Sequence, residues 1–227
     1  FEARRQRQMC IRDREMVEGG PIDVLTGDYL AELTMTILFN QRMQRGEDKG
    51  YVGTFLKQIK EIAHTCKSKN IKVVTNAGGL NPQSMANEIE KILAELKIDL
   101  KVAYITGDDL MPRMENLIQL NEPFNNIDKG TPLQESDCHT LTANAYLGAW
   151  GIKEALDLGA DIVVCPRVTD AAVVIGPAAW KFGWERNDYD KLAGALAAGH
   201  IIECGCQATG GNYCLLYTSP SPRDLTA

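Results

Sequence analysis

Five polar clusters in this sequence combine residue types and spacings that suit chemistry. Asn76-Ala77-Gly78-Gly79-Leu80-Asn81-Pro82 sets two glycines and two amides just before a proline suited to a first helical turn. Asn76, Gly78, Gly79 and Asn81 could cradle a carboxylate or phosphate with backbone N–H groups at a positive helix terminus; the same residues equally make a tight turn with helix caps. Arg167-Val168-Thr169-Asp170 places a permanent cation three residues from a carboxylate. A guanidinium fork there suits two hydrogen bonds to a substrate carboxylate or coenzyme phosphate, or an internal Arg–Asp pair that braces the loop. Asp28, in Thr26-Gly27-Asp28, is a further substrate contact.

The fourth cluster, Gly107-Asp108-Asp109, holds adjacent carboxylates whose side chains diverge in an extended segment, so one can face a cleft while the other caps the next helix. As hard oxygen ligands, Asp108 and Asp109 suit magnesium if Asp28 or Asp170 supplies a third ligand, although nothing in the spacing is specific to a metal. No cofactor is firmly implied. In the fifth cluster, His200 and Glu203 fall on one helical face, where the carboxylate can orient the imidazole as a general acid or base. Asp170 is the other candidate for moving a proton. A zinc ion on His200, Cys204 and Cys206 competes with this reading, but Cys-x-Cys lacks the usual two-residue spacer; a satisfied helix histidine is the third option. Cys204 as a nucleophile would have only His200 as its base.

The glycine motif is followed by no Gly-Lys-Ser/Thr and lacks the GxGxxG spacing, so neither ATP nor NAD use is supported.

Four of these clusters share a position, directly after a short apolar run. The runs Ile22–Leu25, Ile71–Thr75, Val102–Thr106 and Asp161–Cys165 are continuous rather than alternating, as strands buried on both faces are. Helical patterns fill the intervals at about Tyr29–Gln44, Val52–Lys69, Pro82–Lys97, Met111–Leu120, Ala143–Leu158, Ala171–Phe182 and Tyr189–Ile202, and the polar stretch Asn121–His139 has the makings of a lid. Strands alternating with helices predict an α/β fold with an open, doubly wound, mostly parallel sheet. It is open rather than closed, because four strands cannot make a barrel, and it is expected to be incomplete. All the motifs then lie along the carboxyl edge of that sheet, where such folds bind ligands.

The 227 residues suffice for one large domain, and the formal net charge of -6 disfavours nucleic acid as a partner. The chain ends differ in character from the rest. Residues 1–14 carry Arg4, Arg5, Arg7, Arg12 and Arg14 against Glu2 and Asp13, and residues 214–227 have no periodicity, so both read as artefactual tails flanking a partial domain over 15–213. No apolar run is long enough for a membrane span, and no secretory signal is visible. Cys66, Cys138, Cys165, Cys204 and Cys206 are odd in number and irregular in spacing, as reduced thiols in a cytoplasmic setting would be.

Seven motifs in order resemble the acyclic terpene utilisation family: Leu25 to Met35, Asn76 to Pro82, Gly107 to Asp109, Ala143 to Gly148, Gly159 to Val163, Arg167 to Asp170, and Gly199 through Gln207-Ala208-Thr209-Gly210-Gly211-Asn212. The resemblance covers nearly all of Val17–Tyr213. It implies a place in terpene catabolism beside enzymes that work through acyl-coenzyme A intermediates. The expected ligand is a small anionic molecule, such as a carboxylate or CoA thioester, handled by a lyase or hydratase, or by a noncatalytic binding or assembly subunit. A homo-oligomer is expected of the full-length form. The resemblance also implies a Gly-rich strand upstream of Ile22 and further chain beyond the Thr-Gly-Gly motif, and Cys165-Pro166 stands where the family often has a glycine.

Overall fold

The four apolar runs form one parallel sheet in a computed structural model that describes residues 13–120, 122–135 and 139–208, with side chains described as far as residue 202. A helix over 13–19 (α1) leads into β1 (Val24–Gly27), followed by α2 (Glu32–Arg45), α3 (Thr54–Lys69), β2 (Lys72–Thr75), α4 (Pro82–Leu96) and β3 (Val102–Tyr104). A 3-10 turn (Met111–Arg113) and α5 (Met114–Gln119) come next, then α6 (Trp150–Asp157), β4 (Ile162–Val164), α7 (Ala172–Phe182) and α8 (Tyr189–Ala208). The predicted tails lie outside the described residues except for Asp13 and Arg14, and Thr209-Gly210-Gly211-Asn212 lies outside them too.

The strand order is β1-β2-β4-β3 and every pair is parallel, with Val24 opposite Lys72, Val73 opposite Ile162, and Val102 opposite Ile162. Alternate strand residues face opposite ways. Leu25, Val73, Ile162 and Val164 therefore pack with Ile59, Ile62, Met85 and Ile89 from α3 and α4. Val74 and Val163 instead join Ile152, Leu156, Ala172 and Val173 from α6 and α7. Helices cover both faces and the sheet stays open, so it is doubly wound. The chain leaving β2 turns to one face while the chain leaving β4 turns to the other. Such a parting of adjacent loops opens a crevice at the carboxyl edge.

Local chemistry sets the helix ends. Asn81 caps α4 by accepting from the Ser84 N–H at 3.1 Å, with Pro82 in the first turn, and Asn70 ends α3 in the left-handed region at φ 54°. α2 begins three residues later than its apolar pattern suggests, because Tyr29 donates its N–H to Asn76 Oδ1 at 2.7 Å and so holds the chain extended. Among the described residues, no helix is long and apolar enough to cross a membrane.

The predicted helix over Ala143–Leu158 needs correction, since only Trp150–Asp157 is helical. Residues 143–148 run extended between two strand-end loops. Leu110 N donates to Ala143 O at 2.8 Å and Ala145 N to Asp108 O at 2.7 Å, while Leu147 N donates to Arg167 O at 3.2 Å and Thr169 N to Leu147 O at 2.9 Å. These hydrogen bonds to distant chain satisfy the backbone that a helix would have satisfied locally.

Candidate functional site

Arg167 stands at the crevice, immediately after β4, and is 4% exposed. Its Nη1 donates to Leu30 O at 2.7 Å, Nη2 lies 3.3 Å from Glu32 Oε1, and Asp170 Oδ1 is 4.0 Å away. The Tyr146 ring stacks on the guanidinium at 4.1 Å, and the Tyr146 hydroxyl donates to Glu32 Oε1. Nε is buried and has no hydrogen-bond partner. Glu32, at 78% side-chain exposure, and Tyr146, at 48% exposure, thus cover a buried cation that still has a free donor.

Two carboxylates flank it, Asp28 half-buried and Asp108 buried. Asp28 accepts from Asn76 Nδ2, and burial raises its carboxyl above the ordinary carboxylate range; the Asn76 amide and Leu30 N–H oppose the rise, Asp170 adds to it, and Arg167 opposes it. Asp108 accepts from Asn144 Nδ2 at 2.8 Å and from the Arg167 N–H at 3.4 Å, and burial raises its carboxyl as well, against both bonds. Glu32 moves the other way, held low first by the Tyr146 hydroxyl, then by its own N–H and by Arg167. Asp28 also lines a cavity of about 180 Å³ with Tyr29, Ala171, Val174, Gly199 and Ile202. Ala171, which follows Asp170, is buried in the left-handed region at φ 64°, a conformation that costs a non-glycine residue about 1–2 kcal/mol.

The structure thus brings together Asp28, Asn76, Asp108, Arg167 and Asp170, all from loops that follow strands. It also adds Glu32, Asn144 and Tyr146, which sequence reasoning missed. The last two fall inside the helix that composition predicts, although Gly148 and Gly151 interrupt that pattern and are the available signal against it.

The other predicted residues are placed differently. Gly78 and Gly79 serve close packing: a methyl on Gly78 would lie 2.6 Å from Cys165 O, and one on Gly79, at φ +53°, would collide with Leu38 Cδ1. Loop amides are engaged within the fold, with Ala77 N on Thr75 Oγ1, Gly79 N on Asn76 O, Leu80 N on Gly50 O and Asn81 N on Gly78 O. Asn81 caps α4 and reaches Glu47 O at 3.0 Å. Asp109 is exposed, accepts from Met111 N at 2.9 Å and lines a separate cleft with Met111 and Leu141. Among the described residues no group of three or more His, Cys, Asp or Glu side chains is arranged to hold a metal ion. His200 is exposed, with Nδ1 2.9 Å from Leu196 O of its own helix, next to the cavity-lining Gly199. The Glu203 side chain, like those of Cys204 and Cys206, lies outside the described residues.

A family model described as acyclic terpene utilisation family protein AtuA matches residues 9–226. No curated protein and no solved structure matches the chain.

Proposed function

The chain belongs to the acyclic terpene utilisation family, and on that premise we propose that it is an enzyme of lyase or hydratase type acting on branched acyl or carboxylate intermediates. Membership supports a role in terpene utilisation; the reaction and the residue roles are our reading. The observation that carries it is Arg167, a buried cation with an unpartnered Nε, flanked by two carboxyls that burial makes harder to ionise.

In this reading Arg167 receives the anionic group of the ligand, and Glu32 holds its place when the site is empty. Removing water to form a carbon–carbon double bond requires a base for the carbon-bound proton and an acid for the departing oxygen, and the two groups exchange roles when water is added. Exposed Asp170 serves as the base. Asp28, whose carboxyl burial pushes above the ordinary range, serves as the acid. Asn76 and Asn144 fix the orientations of Asp28 and Asp108. His200, with Glu203, remains the second candidate for the proton-transfer pair, one residue from the wall of the cavity that Asp28 lines.

The test is turnover of unsaturated and 3-hydroxy branched acyl-CoA thioesters, and of the free carboxylates, by the purified protein. Asp170→Asn should lower kcat by roughly 10²–10⁴-fold with the fold intact, the range for a lost general base. Glu32→Gln should tighten binding of the anionic substrate by removing its internal competitor. Unchanged kcat in Asp170→Asn would overturn the assignment, and anion binding without turnover of any substrate would favour a noncatalytic binding subunit.

A further inference from the structure

One side of α2 carries Glu32, Thr36, Phe39 and Met43, spaced i, i+4, i+7 and i+11, which aligns them in a single stripe along the helix. At its start the stripe meets Arg167 and Tyr146 through Glu32. At its far end Phe39 and Met43 line a cleft of about 340 Å³ whose other wall is Leu80, Met111, Pro112 and Leu141. Asn144, which holds Asp108, also borders this cleft, so the segment that carries Tyr146 over Arg167 begins at the cleft wall.

The apolar side chains here are left uncovered by the fold: Met43 is 68% exposed, Leu141 59% and Met111 37%. Arg42 and Glu47, which also line the cleft, pair with each other through Nε at 2.8 Å, and Asp109, a further lining residue, accepts from Met111 N at 2.9 Å. From Glu32 to Met43 the helix rises about 16 Å at 1.5 Å per residue. The stripe is therefore elongated, with the Arg167–Glu32 ion pair at one end and at the other a cleft that combines apolar side chains with a paired, polar rim, and the cleft has the volume of a small-molecule site, a class that spans roughly 300–1,000 Å³.

We propose that this groove is a tail-binding subsite that takes the extended apolar chain of an amphipathic anion, with the anionic head at Arg167 and the chain lying along Thr36, Phe39 and Met43 toward Leu141 and Met111. The proposal rests on the reading of Arg167 as the head-group site, and it assigns the substrate's length to α2. Each methylene drawn from water into the cleft adds about fourfold in affinity, the equivalent of roughly 0.8 kcal/mol.

The experiment follows the methionine methyl resonances of the full chain during titration with hexanoate, octanoate, decanoate and neutral 1-decanol. Decanoate should shift the Met43 and Met111 methyls and leave the core Met85 unmoved, with affinity rising steeply from hexanoate to decanoate. Leu141→Asp, an exposed position that the fold tolerates, should remove the dependence on chain length. Equal binding of 1-decanol and decanoate at Met43 and Met111 would support the groove while overturning Arg167 as the head-group site. Carboxylates that bind more tightly to Glu32→Gln yet show no length dependence, or titrations that leave Met43 and Met111 unmoved, would overturn the groove.

Discussion

Adding a single methyl to Gly78 or Gly79 separates two accounts of the loop after β2. As an anion cradle, the loop needs glycines so that a ligand can approach its backbone. In the structure they are needed because the protein itself approaches. A Cβ on Gly78 would lie 2.6 Å from Cys165 O, 2.7 Å from Pro82 Cβ and 2.9 Å from Pro82 Cα, all atoms of rigid groups. Overpacking of this kind costs about 1–3 kcal/mol. Gly79→Ala collides with Leu38 Cδ1 and meets Gly50 O at 2.8 Å, and its φ of +53° adds a left-handed penalty, for a total of about 2–5 kcal/mol. With a urea m-value of roughly 2–3 kcal/mol/M, Gly78→Ala should move the unfolding midpoint down by about 0.3–1.5 M, and Gly79→Ala further. Gly148→Ala, where a methyl meets nothing within 4 Å, is the control and should stay within about 0.5 kcal/mol of the parent. Midpoints unchanged in both loop variants, together with weakened binding of carboxylates, would refute the packing account and restore the cradle.

Two further outcomes follow from the buried ionisable groups. Asp28 has a folded-state value above its ordinary 3.8, so the native state holds more protons than the unfolded chain in the window above that value, and stability falls as pH rises through it. Asp28→Asn removes that slope while its amide oxygen still accepts from Asn76, so its urea midpoint should gain on the parent's as pH rises above about 4; a difference that stays constant with pH contradicts this. Burial pushes the Cys66 thiol up to about 11 and Cys165 higher still, so at about pH 8 native protein should protect both from iodoacetamide, as peptide mass mapping reads out. Rapid native-state alkylation of either would show that the core opens at that point.

The sheet is legible in the sequence because its strands are buried on both faces and therefore read as continuous apolar runs. The carboxyl-edge position of Asp28, Asn76, Asp108 and Arg167 follows from the same signal. What escapes is held by distant partners. Residues 143–148 look helical by composition, and only the hydrogen bonds of Ala145 to Asp108 and of Leu147 to Arg167, both far away along the chain, draw them straight. Glu32 is hidden inside a longer predicted helix, whose real start depends on Tyr29 binding Asn76 across the sheet. Conversely, Gly78, Gly79 and Asn81 carry a composition that turn, cap and anion site all share, and packing against Cys165, Leu38 and Glu47 supplies a structural reason for each that their spacing alone does not reveal.

The straightened segment over 143–148 also governs how this protein can change length. In an extended chain, neighbouring side chains face opposite ways. Asn144 and Tyr146, two apart, face the buried Asp108 and Arg167 together, while Ala143, Ala145 and Leu147 alternate with them. Losing or gaining one residue there would exchange the two sets, putting alanine and leucine against the cation and turning the amide and phenol away. The polar stretch before His139 carries no such alternation to preserve. The six residues from Ala143 to Gly148 thus act as a ruler: their number, as well as their identity, sets which side chains meet Asp108 and Arg167.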